Sequence, residues 1–267
     1  MAPSQRNNVV FMLLCVFGVP DCCETIPTPI FLKLGTVKME DIEYKTKYPR
    51  TYHFPWSPGA TSDDKKHPED WFVRYGWEGK EIVITEKLDG ENTAFHSGNV
   101  FSRSHAVPTR TPWSRNLWDK DGLLWKIRDK IYGDEVVYGE NLYGVHSIEY
   151  DKLPAYFFVF AGRNKNVWYS WDDVEMMAEI LEVPTVPVLW RGEIESELQL
   201  SELISKFMKE PSTFGDTKEG VVVRRVHEFG ADDFSKNVVK YVRENHVQTD
   251  ERWTNNWKRA KLITETI

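Results

Sequence analysis

The stretch EIVITEKLDGEN, Glu81 to Asn92, decides how the rest of the chain is read. Glu81 to Thr85 is rich in β-branched side chains and predicts a short strand. Asp89 to Asn92 reads as a turn. Beyond it, Thr93 to Phe95 and Val100 to Ser102 predict a hairpin closed around Ser97-Gly98-Asn99. Lys87 therefore stands at a strand end, followed by a carboxylate and a glycine turn. That arrangement can present an amine to a pocket. Taken alone, Lys-x-Asp-Gly is equally what an ordinary surface hairpin turn carries.

Upstream, Lys45 to Lys66 (KTKYPRTYHFPWSPGATSDDKK) mixes prolines with aromatic rings and predicts an irregular, ordered loop. Downstream, Leu117, Leu123, Leu124, Ile127 and Ile131 make Asn116 to Ile131 partly helical. Glu135 to Tyr138 and Tyr156 to Phe160 predict strands. Asp172 to Leu181 predicts a helix, capped by Ser170 or Asp172, with Val174, Met177, Ala178 and Leu181 on one face. Ser201 to Met208 predicts a second helix. Gly220 to Val226 and Val238 to Val242 predict the last strands. Strands outnumber helices and are scattered between them, so the expected class is α+β, with mostly antiparallel sheets flanked by helices.

The chain has 267 residues, 28% of them charged, with 34 Lys and Arg against 41 Asp and Glu and a net charge of -7. This composition is that of a soluble globular chain and excludes a strongly basic, sequence-blind coat for nucleic acid. The sum hides a distribution: Val100 to Lys130 carries seven Lys and Arg against three Asp. The 3 cysteines are Cys15, Cys22 and Cys23. Met39 to Ile267 has none, which suits a reducing, cytoplasmic location and excludes a catalytic thiol or zinc-thiolate site there. His96, His105, His146, His227 and His246 are scattered without metal-ligand spacing. Residues 1–38 read as an amino-terminal extension and 39–267 as the working domain. Within the extension, the 11-residue apolar run Val9 to Val19 is too short to span a bilayer. It is open to reading as a signal-like segment, an added strand or part of an over-long start before Met39. No membrane association is expected.

Further segments give Lys87 company. Tyr138-Gly139-Glu140-Asn141 puts a carboxylate just after a strand, and Phe157 to Phe160 supplies rings. Glu219-Gly220-Val221-Val222-Val223-Arg224 sets a carboxylate before an apolar strand, and Val239-Lys240-Tyr241-Val242-Arg243 ends a strand with basic residues. In order and spacing these segments resemble the motifs of the covalent nucleotidyltransferases, and most nearly those of the ATP-dependent RNA ligases. That branch has Asn two residues after the motif Gly, as in Gly90-Glu91-Asn92. The resemblance covers about Arg50 to Trp253.

The resemblance implies a nucleotidyltransferase (ATP-grasp-like ligase) domain that uses ATP with Mg²⁺ or Mn²⁺ and acts on RNA ends or a nicked RNA duplex. Lys87 would attack the ATP α-phosphate to form lysyl-AMP. The AMP would pass to an RNA 5′-phosphate, and a 3′-hydroxyl would then displace it. By the same resemblance, Glu86 and Arg103 belong to the nucleotide site, Arg103 on a phosphate. Glu140 would hold the ribose hydroxyls, and Phe160 would stack on adenine, with Phe158 as its rival. Glu219 would hold the metal, and Lys240 would neutralise the α-phosphate. Asn92 would act on the RNA end, and Asp89 would support the site.

An attacking lysine must be neutral, and at an ordinary pKa of about 10.4 only about one in 2,500 is so at pH 7. Lys240 and a bound divalent cation are expected to lower that value. Two positions depart from the motifs: Ala161 follows Phe160 where many ligases have Asp, and Val242 stands where many have a second Lys. Only 24 residues follow Arg243, so no carboxy-terminal oligonucleotide-binding barrel is expected within this sequence. Residues His246 to Arg259 read as a short polar helix. A nucleotidyltransferase acting on nicked DNA, or a non-catalytic RNA-end-binding domain of the same fold, remain alternatives. No protein partner is indicated.

Overall fold

The computed structural model describes residues 47–103, 107–245 and 253–265. The amino-terminal extension and its apolar run lie outside the described residues, as does part of the expected polar helix after His246. What is described of that last segment is a short 3-10 turn, Trp253–Asn256.

Among the described residues, eleven strands form two sheets. The first is built from β1 (Tyr52–His53), β11 (Val238–Val242), β9 (Gly220–Arg225), β2 (Lys80–Lys87) and β8 (Val188–Ile194), in that spatial order. The second runs β10 (Phe229–Gly230), β7 (Val167–Trp168), β6 (Phe157–Asn164), β5 (Glu135–Asn141), β3 (Glu91–His96) and β4 (Asn99–Ser102). Pairing is antiparallel except between β1 and β11, which run parallel. The class is α+β, as the scattered strand signals predict.

The helices are few and amphipathic. Four-residue α1 (Trp71–Arg74) is followed by short α2 (Arg115–Trp118) and α3 (Leu123–Ile127), which divide the stretch expected to be partly helical. In α4 (Trp171–Leu181) the Ser170 hydroxyl accepts the Asp173 N–H at 3.1 Å, and Val174, Met177, Ala178 and Leu181 are buried. Helix α5 (Glu197–Lys209) begins four residues before the expected Ser201. Two serines could cap it, and Ser196 wins because Gln199 completes the cap: its N–H donates to Ser196 Oγ at 3.1 Å, while its side chain accepts the Glu195 N–H at 2.8 Å. A last turn, α6 (Phe234–Asn237), leads into β11. Strand β8, unforeseen, is a largely exposed edge interrupted by Arg191 and Gly192, so its apolar signal is weak.

Alternation along the strands sorts the chain into faces. Ile82, Ile84, Val221, Val223 and Val239 point into one core with Trp71, Trp77, Leu200 and Ile204. Thr85, Lys87, Val222, Arg224, Val238 and Lys240 point the other way and line a pocket. Strand β6 breaks the rule usefully. Tyr138 stands opposite Ala161 and Gly139 opposite Val159, so Phe160 is an extra, bulged residue. Phe158 is sunk in the core, 1% exposed, with its ring 4.9 Å from that of Phe214. Phe160 is left facing the pocket. The two rings share a face in a regular strand, and the bulge separates them. Phe158→Ala should therefore cost about 3–5 kcal/mol in urea unfolding, as a buried ring removed from a core does. Phe160→Ala should cost less than half as much.

Candidate active site

Lys87 ends β2 directly opposite Gly220, the first residue of β9. That register brings Glu219 alongside, and Lys87 Nζ donates to Glu219 Oε2 at 2.6 Å. The chain then crosses to the second sheet through Leu88-Asp89-Gly90. The crossing is tight: a Cβ on Gly90 would lie 2.6 Å from the Asn141 carbonyl oxygen, which explains a glycine there. The Gly90 N–H donates to Glu140 Oε1 at 3.1 Å. Asp89 latches the turn, its Oδ2 accepting the Ser147 and Ile148 N–H groups, each at 2.8 Å. Its own N–H donates to the Tyr150 hydroxyl at 2.9 Å. The His146 to Tyr150 segment thus acts as the receptor for the Asp-Gly turn, a role its sequence does not announce.

Glu140 on β5 stands across from Asn92 on β3. The Asn92 Oδ1 is buried without a hydrogen-bond partner, so one polar atom of the expected RNA-end residue is left for a substrate. Lys240 comes in from β11, opposite Val222. Lys87, Glu140, Phe160 and Lys240 line one pocket. Tyr48, Trp168, Phe229 and Phe234 complete its aromatic wall. The Tyr48 ring packs edge-on against Phe160 at 5.1 Å.

Two of the expected residues need comment. Glu86 belongs to the wall, but its carboxylate does not join the site. It points away from Lys87, as strand neighbours must, and accepts from Ser212 Oγ at 2.5 Å and the Thr213 N–H at 2.9 Å. Arg103 follows β4, is exposed and does not line the pocket. Its backbone N–H donates to the Asn92 carbonyl at 3.1 Å. Arg243 is likewise outside the pocket, and buried Val242 carries no charge to replace a second lysine.

Two titratable residues of the pocket, Tyr48 and Arg224, were not foreseen. Arg224 is legible from alternation, since it lies two residues after Val222 on the same face. Burial pulls its guanidinium down to about 10. Tyr48 lies in an aperiodic loop, and burial pushes its hydroxyl up to about 12.

The electrostatics reverse one expectation. Burial favours the neutral Lys87 amine, but the Glu219, Glu140 and Asp89 carboxylates outweigh it and hold the ammonium above its ordinary range. Lys240 is too weak a counterweight while those carboxylates are ionised; its own ammonium is lowered by burial first and by Lys87 next. Glu140 is pushed up to about 8 by burial, helped by Glu219 and Asp89 and opposed by Lys87. Burial also raises Glu219 against the pull of Lys87.

The oxygen donors suit a hard divalent cation. Among the described residues no cluster of three or more His, Cys, Asp or Glu forms a protein cage for one. Glu219 could hold such an ion only together with oxygens from a bound phosphate, which is how Mg²⁺ is commonly carried.

The RNA ligase family model matches residues 80–242, from the first residue of β2 to the last of β11. The chain belongs to the RNA ligase family. Solved structures that the chain matches include Naegleria gruberi RNA ligase with PPi, at 15% identity over 73% of this chain and 60% of that one, TM-score 0.47. A mutant of the Naegleria gruberi RNA ligase with ATP and Mn matches at 15% identity over 77% and 62%, TM-score 0.46. An archaeal ATP-dependent RNA ligase matches at 16% identity over 74% and 48%, TM-score 0.46. The chain thus spans about half to three-fifths of the length of these structures. A search of curated protein sequences finds no match.

A pH dependence follows from Glu140. Its carboxyl rises from 4.5 to about 8 on folding, so between those values the folded state binds the extra proton. The contribution to stability is full below pH 4.5 and is lost as pH rises toward 8. Glu140→Gln should flatten the fall of the unfolding free energy between pH 5 and 8, by at most about 1.4 kcal/mol per pH unit.

Proposed function

We propose that the chain is an ATP-dependent RNA ligase that seals an RNA 5′-phosphate to a 3′-hydroxyl through a lysyl-AMP intermediate. The convergence of Lys87, Glu140, Phe160 and Lys240 on one pocket, with Glu219 bonded to Lys87, carries this reading. A nucleotide needs a stacking ring, acceptors for its ribose hydroxyls and cations for its phosphates. Phe160, Glu140 and Lys240 supply these in that order. The Lys87 amine attacks the α-phosphorus of ATP, the P–N bond forms, and pyrophosphate leaves with the electrons of the broken P–O bond. The 5′-phosphate oxygen of RNA then displaces Lys87 from AMP. Finally the 3′-hydroxyl attacks that 5′-phosphate, and AMP departs. Asn92, with its unpartnered oxygen, is suited to orient the RNA end.

Lys87 must first lose its proton and its hold on Glu219, because a charged, hydrogen-bonded ammonium has no lone pair to give. A divalent cation on Glu219 and the phosphate oxygens would supply charge neutralisation for the phosphoryl group. A bound polyphosphate near Lys240 would be drawn by the same ammonium that disfavours a second positive charge at Lys87. The cysteine-free body accords with a reducing compartment, and no helix of the described residues is long and apolar enough to cross a membrane.

Incubation with α-labelled ATP and magnesium should attach the label covalently, and Lys87→Ala should abolish it. Persistent labelling of that variant would overturn the mechanism. Glu219→Gln should raise the metal concentration for half-maximal labelling at least about tenfold, in line with loss of a metal-ligand contact. A nicked RNA duplex should be sealed faster than a nicked DNA duplex; equal rates would contradict the RNA assignment.

A further inference from the structure

The irregular segment before α1 is strapped along the strand that carries Lys240. His53 pairs with Lys240 in the parallel β1–β11 ladder. The Phe54 N–H donates to the Lys240 carbonyl at 3.0 Å, and the Gly59 N–H to the Val242 carbonyl at 2.9 Å. The approach at Gly59 is so close that a Cβ would sit 2.3 Å from the Arg243 carbonyl oxygen.

A chain of polar contacts runs through this strap to the Lys240 ammonium. The Val242 N–H donates to Ser57 Oγ at 3.0 Å. Ser57 Oγ lies 2.9 Å from His53 Nδ1. The other ring nitrogen, Nε2, is 3.4 Å from Asp64 Oδ1, and Lys240 Nζ is 3.5 Å from that same oxygen. Asp64 cannot swing freely, because its second oxygen accepts the Thr61 N–H at 3.1 Å and the Thr61 hydroxyl at 3.0 Å. His53 is 1% exposed, and burial, with Lys240 second, pulls its pKa down to about 4. In the tautomer that carries its proton at Nε2, the neutral ring faces the carboxylate with that N–H and accepts the Ser57 hydroxyl at Nδ1. Ser57 is fully buried, so this Ser-His-Asp series is not a nucleophile array. It ends on a lysine.

We propose that Asp64, braced by Thr61 and by the Ser57–His53 pair, is the positioning residue of Lys240, fixing its ammonium at the pocket wall and supplying its counter-charge. The proposal rests on the reading of Lys240 as the phosphate-neutralising group. Position 242 lacks the second lysine of the motif, and its backbone is tied into the strap. One cation on this strand therefore carries the role, and its placement matters more. Asp64 can be changed without emptying the core, since it is 26% exposed.

The test is single-turnover formation of labelled lysyl-AMP on the full chain. Asp64→Asn can keep the Thr61 hydrogen bonds on its amide oxygen, while its NH2 replaces the charged acceptor that faces Lys240. It should lower the maximal rate about tenfold, while the half-saturating ATP concentration moves less than about threefold and the final labelled fraction stays at the wild-type level. In a Lys240→Ala background, followed over hours, the same change should cost less than about twofold, because the interaction it removes is already gone. His53→Gln, checked for folding by near-ultraviolet circular dichroism, should lower the maximal rate in the same direction. An Asp64→Asn rate within twofold of wild type, or a loss seen only as a smaller labelled fraction, would overturn the proposal and leave the ligase reading standing. Absence of any label on the wild-type chain would instead overturn both.

Discussion

The contact between Lys87 and Glu219 is the interaction on which the rest depends. It exists because β2 and β9 pair in a register that sets Lys87 against Gly220. A one-residue slip would exchange the two faces of β2 and turn Lys87 toward the apolar core. The valines and isoleucines on the opposite faces of both strands enforce the register, because they are buried in one core with Leu200 and Ile204 of α5. Core packing therefore fixes the distance between two charged groups that no local propensity would bring together.

Around that pair the protein gathers more negative charge than it can comfortably hold. Asp89, Glu140 and Glu219 surround one ammonium in a largely dry setting. Two backbone N–H groups hold the Asp89 carboxylate in place, and burial raises the pKa values of Glu140 and Glu219. Such an arrangement is poor for stability and good for receiving cations or the hydroxyls of a sugar. A site of this kind is set to change on binding: whatever takes Glu219 away from Lys87 frees the amine. Tyr48, Phe160, Trp168 and Phe234 give the pocket an apolar wall, in which charges interact more strongly than in water.

Much of this was legible in the sequence. Lys87, Glu140, Glu219 and Lys240 lie at or near strand ends, where the strand pattern and turn residues announce them, and their order reveals the company they keep. Where reading failed, a physical cause can be named. Phe158 and Phe160 cannot be ranked from alternation because a bulge lies between them. Glu86 adjoins the key lysine in sequence but sits on the opposite face of the strand. Tyr48 and Asp64 come from an aperiodic loop whose course is set by hydrogen bonds to β11, a strand nearly 200 residues away. The protonation of Lys87 depends on summed carboxylate charge, which only coordinates reveal.

The account stands on Lys87 as the residue that takes the nucleotide. The most direct measurement is tandem mass spectrometry of the chain after brief exposure to ATP and magnesium without RNA. A single adenylate on the peptide containing Lys87, acid-labile as a phosphoramide should be, is the predicted result. An adenylate on Lys240 or any other side chain, or none at all, would contradict it.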